Sequence, residues 1–259
     1  LLYYAYQKHK TKGGTVMNTW DRYELKENAK VAIKLNYWKT VLAGLIIASV
    51  TGGLFYLQGL TSIEKNVQAT EIANFTTFLV RSPKYTHFKT GFGFTLLFIG
   101  TFVILQLFQT FILNPLEVGS NRFFIGCLSG RPQVREICFS YDNGYQSCVK
   151  VLFLRNLYIA LWSFLLIVPG IIKSYEYMMV PYILGDQPEI SCSEAFALSK
   201  KMMYGRKWNA FVLDLSFLLW DILGILTFGI VTFFYVIPYK QLTHAGMYQE
   251  LKGSSVNNL

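Results

Sequence analysis

Long apolar runs separated by short polar segments dominate the chain after residue 37. We place six such runs, in chain order, at residues 38–57, 91–113, 151–168, 171–184, 208–226 and 230–248. A helix needs roughly 20 apolar residues to cross a bilayer, and most of these runs approach that length. The pattern therefore predicts an all-α fold, a polytopic transmembrane helix bundle of about six spans with amphipathic surface helices.

The fourth run is the weak point of this span count. Residues 171–184 are few for a crossing, carry Lys173 and Glu176, and follow directly on Pro169 and Gly170. Proline removes a backbone donor and breaks or kinks a helix, so this pair is a candidate hinge, with a static kink as the alternative. If the fourth run is re-entrant or only a kinked continuation, the count falls to five spans.

Three polar segments have the pattern of helices lying on a membrane surface. Ser191 and Glu194 have the spacing of a capping box, and the helix that they begin carries Lys200 and Lys201 on the side opposite its apolar face. Residues 20–38 form a basic amphipathic stretch, and residues 116–128 are a third interfacial candidate. A solvated lead-in to the first span is the alternative for residues 20–38.

The two ends of the chain are predicted to lie outside the folded domain. Lys12, Gly13 and Gly14 match a purine-rich ribosome-binding site translated in frame, two codons before Met17. We therefore expect residues 1–16 to be a non-native leader, residues 17–251 a single integral membrane domain, and residues 252–259 a disordered tail.

The charge distribution predicts the orientation. Charged residues make up only 15% of the chain, and the formal net charge is +9. If both termini are cytoplasmic, all but five of the 24 Lys and Arg residues fall inside, the exceptions being Lys65, Arg81, Lys84, Lys89 and Lys173. Such basic loops favour anionic inner-leaflet lipids as partners. A nucleic-acid partner is excluded, because the basic residues lie between apolar runs rather than in a patch on a soluble fold.

Several segments resemble a known family. They include ELKENAKVAIKLNYWK, NPLEVGSNRFF and the block PGIIKSYEYMMVPYIL, which is followed by SKKMMYGRKW. Over residues 22–251 the chain resembles the bacterial integral membrane family called domain of unknown function 975. More loosely, the central block is similar to membrane domains attached to some glycerophosphodiester phosphodiesterases. The resemblance implies a multi-pass protein of the bacterial plasma membrane and implies no activity, although residues 58–90 form a longer, more polar loop than the family usually has.

Ionisable residues within or beside the apolar runs are the candidate functional residues, because charge is costly in a bilayer. They are Glu117, Arg155, Lys173, Glu176, Asp214 and Asp221. Counting 1.5 Å per residue along each helix, depth alone predicts two ion pairs, Arg155 with Asp214 and Lys173 with Asp221. Such pairs would either fix the register of the helices or line a polar path for a substrate or proton.

The sequence contains no arrangement typical of catalysis, and we predict no catalytic, cofactor-binding or metal-binding residue. The four cysteines and three histidines are too scattered for a zinc site, and Ser191 and Glu194 are better explained as a helix cap than as a nucleophile and a base. We therefore expect a non-enzymatic membrane scaffold or accessory component of an envelope or export system, with other membrane proteins as further partners. The alternative is a small transporter or permease subunit with a polar intramembrane path.

Overall fold

The computed structural model describes residues 20–50, 100–101, 103–130 and 132–256, and these residues form helices and turns with no strand. Within these residues, three helices are apolar enough, by length and composition, to cross a membrane: Arg22–Ala48, Tyr145–Leu165 and Lys207–Leu226. The predicted all-α class is therefore confirmed, and membrane-spanning helices are compatible with it, but six spans are not established. The leader and the loop at residues 58–90 lie outside the described residues, as do residues 51–57 of the first predicted span and residues 91–99 and 102 of the second.

The first helix, α1 (Arg22–Val50), is kinked at Asn36, where φ is −135° and ψ is 36°. Leu25, Ala29 and Ala32 are at most 5% exposed, so this side of its N-terminal half is covered by the rest of the protein. This corrects the expectation that the same apolar side of residues 20–38 lies on a membrane surface. The small side chains at positions 29 and 32 allow neighbouring helices to approach closely.

Helix α2 (Asn114–Leu128) continues directly from a π-helical turn, Gln109–Leu113. Pro115 directly follows this π-helical turn, so the residue without an N–H coincides with a local change in the helical hydrogen-bond pattern. Val118, Phe123 and Phe124 are fully buried, so residues 116–128 form part of the core rather than the predicted interfacial helix. A short 3-10 helix (Val134–Cys138) packs against α2, and α3 (Phe139–Asp142) follows it.

Helices α4 (Tyr145–Leu165) and α5 (Ile167–Glu176) form a helical hairpin. The helix breaks at Leu166, whose backbone is extended (φ −156°, ψ 139°), and Gly170 then packs directly against Ser163. The predicted break at Pro169 and Gly170 is thus displaced to Leu166, because proline is tolerated in the first turn of α5. We call residues 145–176 the Pro-Gly hairpin; the chain continues through a turn into α6 (Val180–Asp186).

Helix α7 (Cys192–Met203) has the capping box predicted from its sequence, with the Ser191 side chain accepting a hydrogen bond from the Glu194 backbone. Lys200 and Lys201 are exposed, as expected for the polar side of an amphipathic helix. The opposite side, which includes Ala195 and Met203, is fully buried in the protein. The apolar face of α7 therefore packs on the protein, not on lipid, which corrects its assignment as a helix inserted in the membrane surface.

The last part of the chain forms a second hairpin, the C-terminal hairpin (residues 207–256). Its outgoing arm consists of α8 (Lys207–Leu215) and α9 (Leu218–Leu226), and its returning arm of a π-helical turn (Thr232–Val236) and α10 (Ile237–Val256). The predicted turn at residues 227–229 is confirmed. Because α10 continues to Val256, residues 252–256 are helical rather than part of a disordered tail.

The two arms of the C-terminal hairpin stay in contact along their length. The ring centroids of Phe217 and Tyr239 are 5.1 Å apart, and those of Trp220 and Tyr235 are 5.2 Å apart. Of the described helices, α10 has the most extensive contact with α1. The two helices run antiparallel, with Leu25 near Gly246 and Gly44 near Pro238.

Polar contacts collect at the end of the bundle opposite the two hairpin turns. Lys252 Nζ is 2.6 Å from Asp186 Oδ2, Arg206 donates to Ser254 Oγ, and Gln249 donates to Ser129 Oγ. We call this region the polar end. It brings together the loop after α2, the turn after α6, the start of α8 and the end of α10.

Candidate functional site: three carboxylate clusters

Glu117 and Arg155 form a two-pronged ion pair between α2 and α4. Arg155 Nη1 and Nη2 each lie 2.9 Å from a different oxygen of the Glu117 carboxylate. The two side chains are only 14% and 12% exposed, so the pair is largely shielded from solvent. Parallel hydrogen bonds of this kind fix both side chains in orientation, and they set the register of α4 on α2.

Glu176, at the end of α5, is bound by two lysines. Its carboxylate lies 2.8 Å from Lys173 Nζ, one turn earlier, and 2.5 Å from Lys207 Nζ, the first residue of α8. The Glu176 side chain is 5% exposed. The backbone carbonyl of the same residue accepts a hydrogen bond from Ser199 Oγ of α7 at 2.7 Å. Glu176 therefore joins the Pro-Gly hairpin to α7 and to the C-terminal hairpin.

Asp214, in α8, is the centre of a third cluster. Tyr175 Oη donates a hydrogen bond to Oδ2 at 2.9 Å, and His244 Nε2 lies 2.8 Å from Oδ1. Lys240 Nζ is 3.4 Å from the same Oδ1 atom. Lys240 and His244 are four residues apart on α10, so one face of that helix supplies both basic partners.

The structure does not contain either of the two ion pairs that were predicted from depth. Arg155 contacts Glu117 instead of Asp214, and Lys173 contacts Glu176 instead of Asp221. Depth counting treats each helix as a straight rod with a free choice of neighbours. Here Lys173 pairs with Glu176 three residues later in the same helix, α5, and α2 lies alongside α4.

Sequence reasoning missed several of the residues in these clusters. The prediction includes Glu117 and Glu176 as ionisable residues, but it does not include Tyr175, Lys207, Lys240 and His244 as their partners or as partners of Asp214. The local signals for these clusters are the i, i+4 spacing of Lys240 and His244 and the i, i+3 spacing of Lys173 and Glu176. Arg122 was also missed: it pairs with Glu136, donates to the Gly185 carbonyl oxygen at 2.5 Å, and lies 4.0 Å from the ring centroid of Phe139.

Asp221 and the proposed hinge have different surroundings from those expected. Asp221 is half-buried, one helix beyond the Asp214 cluster. Gly170 is buried, and a Cβ added there would lie 2.7 Å from Ser163 Cα, so the backbones of α4 and α5 are in close contact. This tight packing favours a static break over a hinge.

The described residues contain no group of three or more His, Cys, Asp or Glu side chains able to hold a metal ion. The four cysteines are free thiols, and burial raises the pKa of Cys127 in α2 to about 12. Within the described residues, the chemistry that the clusters support is therefore charge neutralisation and helix positioning.

A cavity of about 210 Å³ lies at the polar end, lined by residues that include Trp20, Glu24 and Gln249. A second cavity, lined by Trp20, Asp21, Arg22 and Asn209, lies beside it. Neither is lined by Glu117, Glu176 or Asp214. The carboxylate clusters are therefore not the walls of these two openings.

Comparison with known proteins identifies the family but no characterised relative. The model of the family described as "Protein of unknown function (DUF975)" matches residues 17–255, and the chain belongs to that family. The match covers every cluster described above. No curated protein and no solved structure matches the chain. The looser similarity to membrane domains of glycerophosphodiester phosphodiesterases is not found.

Proposed function

We propose that this member of the family of unknown function 975 is a non-enzymatic membrane scaffold or accessory component of an envelope or export system. It would lie in the bacterial plasma membrane with both termini in the cytoplasm. The observation that carries the proposal is that Glu117, Glu176 and Asp214 are each bound by a basic side chain from another helix.

Closed ion pairs between helices suit a rigid framework better than a transport path. A path for a polar substrate needs ionisable groups that face a water-filled passage and exchange partners. The Glu117 carboxylate and the Arg155 guanidinium are instead joined by two parallel hydrogen bonds. The Glu176 carboxylate is bound by two lysines, and the Glu176 backbone carbonyl accepts a hydrogen bond from Ser199. Buried pairs of this kind specify how helices pack, which is the property a scaffold requires.

The outer surface of the bundle offers two kinds of contact. Leu219, Leu226 and Phe228 of the C-terminal hairpin are 72–79% exposed, and these apolar side chains suit lipid or another membrane protein. The exposed Lys200 and Lys201 lie on α7, close to the polar end, and suit anionic inner-leaflet lipids. A nucleic-acid partner is not part of the proposal.

Photocrosslinking in living cells tests the scaffold function. A photoreactive amino acid would replace Leu219, which is 79% exposed, or Leu213, which is fully buried and serves as the matched control. We expect a defined protein adduct from position 219 and none from position 213. Adducts with lipid alone at position 219, repeated at 226 and 228, would contradict the scaffold proposal.

A transporter is the second candidate, because His244 Nε2 and Asp214 Oδ1 lie 2.8 Å apart inside the bundle. The double variant Asp214→Asn with His244→Gln keeps groups able to hydrogen bond at both positions but removes the carboxylate and the imidazole. If the protein is a scaffold, this variant should restore the envelope-stress resistance of a deletion strain. If the protein moves protons or ions, it should fold and localise normally yet fail to restore resistance.

A further inference from the structure

Helix α7 provides a reference level for measuring how far each hairpin extends. The ring of Phe196 in α7 contacts both arms of the Pro-Gly hairpin, with centroid distances of 5.9 Å to Tyr158 and 5.1 Å to Tyr177. Ser199 of α7 donates a hydrogen bond to the backbone of Glu176. Both arms therefore pass α7 at residue 158 on the way out and at residues 176–177 on the way back.

Only a short part of the Pro-Gly hairpin extends beyond this level. Its outgoing arm continues through residues 159–165 and its returning arm through the ten residues of α5. At 1.5 Å per residue these segments reach about 10 and 15 Å beyond α7. The first half of α4 lies on the other side of that level, where Cys148, Val151 and Leu152 are fully buried in the protein.

The C-terminal hairpin passes the same level between Lys207 and Asp214 and extends further. Lys207 Nζ lies 2.5 Å from the Glu176 carboxylate, and Tyr175 Oη lies 2.9 Å from Asp214 Oδ2. From these two positions the arm runs for 20 or 12 residues to Leu226, which corresponds to about 30 or about 18 Å. The longer value equals the hydrocarbon thickness of a typical bilayer, whereas the Pro-Gly hairpin covers at most about half of that thickness.

The turn of the Pro-Gly hairpin has no polar side chain. Residues 164–168 read Phe-Leu-Leu-Ile-Val, and they are 62–95% exposed, with Phe164 the most exposed. A turn in water normally carries polar residues. Consecutive exposed apolar side chains at this position are compatible with acyl chains, and they continue the exposed apolar surface of α4 and α5.

Part of the backbone at the turn and the one charged side chain that this hairpin carries beyond α7 fit the same environment. Backbone amides without partners are costly in lipid. Here Leu166 N donates to Trp162 O, Gly170 N donates to Leu166 O, and Pro169 has no N–H, so the amides of Ile167 and Val168 are the remaining first-turn donors of α5. Lys173 points its ammonium back to Glu176, as expected of a lysine that reaches from hydrocarbon toward the interface.

We infer that the Pro-Gly hairpin is re-entrant: it enters the leaflet on the side of α7, turns near the bilayer centre among acyl chains, and leaves on the same side. A hairpin that enters and leaves on one side brings the chain back to the side where two complete spans would also bring it. The C-terminal hairpin therefore has the same orientation in both cases. The inference concerns insertion into a single leaflet and does not depend on the scaffold proposal.

Depth measurement on the full-length protein tests the inference. Cys138→Ser and Cys192→Ser would remove the two native thiols that are not fully buried, and single cysteines would then be placed at Phe164 in one turn, Phe228 in the other, and Leu219 in α9. Each would carry a fluorophore in liposomes containing lipids with quenchers at known depths. We expect the position 164 probe within about 5 Å of the bilayer centre, and the position 228 probe near a membrane surface, about 15 Å away.

Labelling of intact cells with an impermeant maleimide gives the second measurement. We expect Phe228→Cys to react at least about tenfold faster than Phe164→Cys, because only the longer hairpin reaches the outer surface. Equal labelling of both positions would show a complete crossing and overturn the inference. A position 164 probe that lipid quenchers do not reach would show a protein-covered turn, which also overturns it. Ile167→Cys, at a position 77% exposed, replaces Phe164→Cys if that variant does not fold.

Discussion

The Pro-Gly hairpin and the C-terminal hairpin have outgoing arms of nearly equal length, 21 residues in α4 and 20 in residues 207–226. Both arms pass the same hydropathy test for a membrane span. They differ in where along each arm the protein itself covers it. In α4 the buried residues, Cys148, Val151 and Leu152, are confined to its first half, whereas the buried residues of the C-terminal arm run from Ala210 to Gly224.

This difference shows that an apolar run does not specify what covers it. In the first half of α4, apolar residues pack against α2, α6 and α7. In the second half, the apolar residues are exposed on the surface of the protein. Hydropathy adds these two segments into one apparent span. The contact of Phe196 with Tyr158 separates them, and in our proposal only the second half enters the membrane.

The largest expected effect concerns the native thiols. Their reaction with labelling reagents sets the background signal for the cysteine probes placed in either hairpin. Thiolate is the reactive form, and with a pKa of about 12 only about one Cys127 in 10⁴ is ionised at pH 8. We expect Cys127 to react with a maleimide about 10³-fold more slowly than the exposed Cys138, measured by mass spectrometry of the folded protein. Reaction of Cys127 should accelerate as the pH approaches 12.

Denaturation provides the control for this prediction, because Cys127 should react like Cys138 once burial is removed. Equal rates at pH 8 in the folded protein would contradict the buried position of α2. In that case depth measurements in both hairpins would need a background without any cysteine.

Adding one methyl group inside each hairpin compares how tightly the arms pack. In Gly170→Ala the new Cβ would lie 2.7 Å from Ser163 Cα, a backbone atom that cannot rotate away. In Gly224→Ala the main obstacle is the Thr232 hydroxyl, which can rotate. We expect Gly170→Ala to destabilise the protein by about 3 kcal/mol and Gly224→Ala by about 1 kcal/mol, measured as a fall in the unfolding temperature in detergent.

A rescue variant separates the two mechanisms. Thr232→Ala should restore the stability of Gly224→Ala, whereas Ser163→Ala should not restore that of Gly170→Ala. Equal losses at the two glycines would show that the Pro-Gly hairpin is packed no more tightly than the C-terminal hairpin.

The link between the two hairpins is expected to depend on Glu176. Glu176→Gln leaves Lys173 and Lys207 without their shared carboxylate, and we expect a loss of about 2–3 kcal/mol. Asp214→Asn is the matched control. Its amide can still bond Tyr175 and His244, and the Lys240 contact is longer and one-third exposed, so the loss should be about 1 kcal/mol. A larger loss of stability from Asp214→Asn than from Glu176→Gln would show that the Asp214 cluster makes the main link between the two hairpins.

The smallest effect is expected from the proline that suggested a hinge. Pro169 lies in the first turn of α5, where its missing N–H breaks no intrahelical hydrogen bond. Pro169→Ala should therefore change stability by less than about 1 kcal/mol and leave the position of the 164 probe unchanged. A shift of that probe toward either membrane surface would show that the proline controls the depth of the turn.

Local features of this protein could be predicted from the sequence because the physics that decides them is local. The capping box of Ser191 and Glu194, the turn at residues 227–229 and the all-helical class depend on side chains within a few residues of one another. That Glu117, Arg155, Glu176 and Asp214 have partners could also be predicted from the sequence, since a charge near an apolar run needs a partner wherever the run lies.

Only the tertiary structure decided which residues form ion pairs between helices and which apolar faces the protein covers. Arg155 binds Glu117 and not Asp214 because α2 lies along α4, and Lys207 binds Glu176 because the start of α8 lies beside the end of α5. Residues 116–128 and the apolar face of α7 are buried because other helices cover them. An apolar side chain has the same hydropathy whether lipid or protein covers it. The sequence therefore determines how much apolar surface there is, while long-range packing determines whether another helix covers that surface.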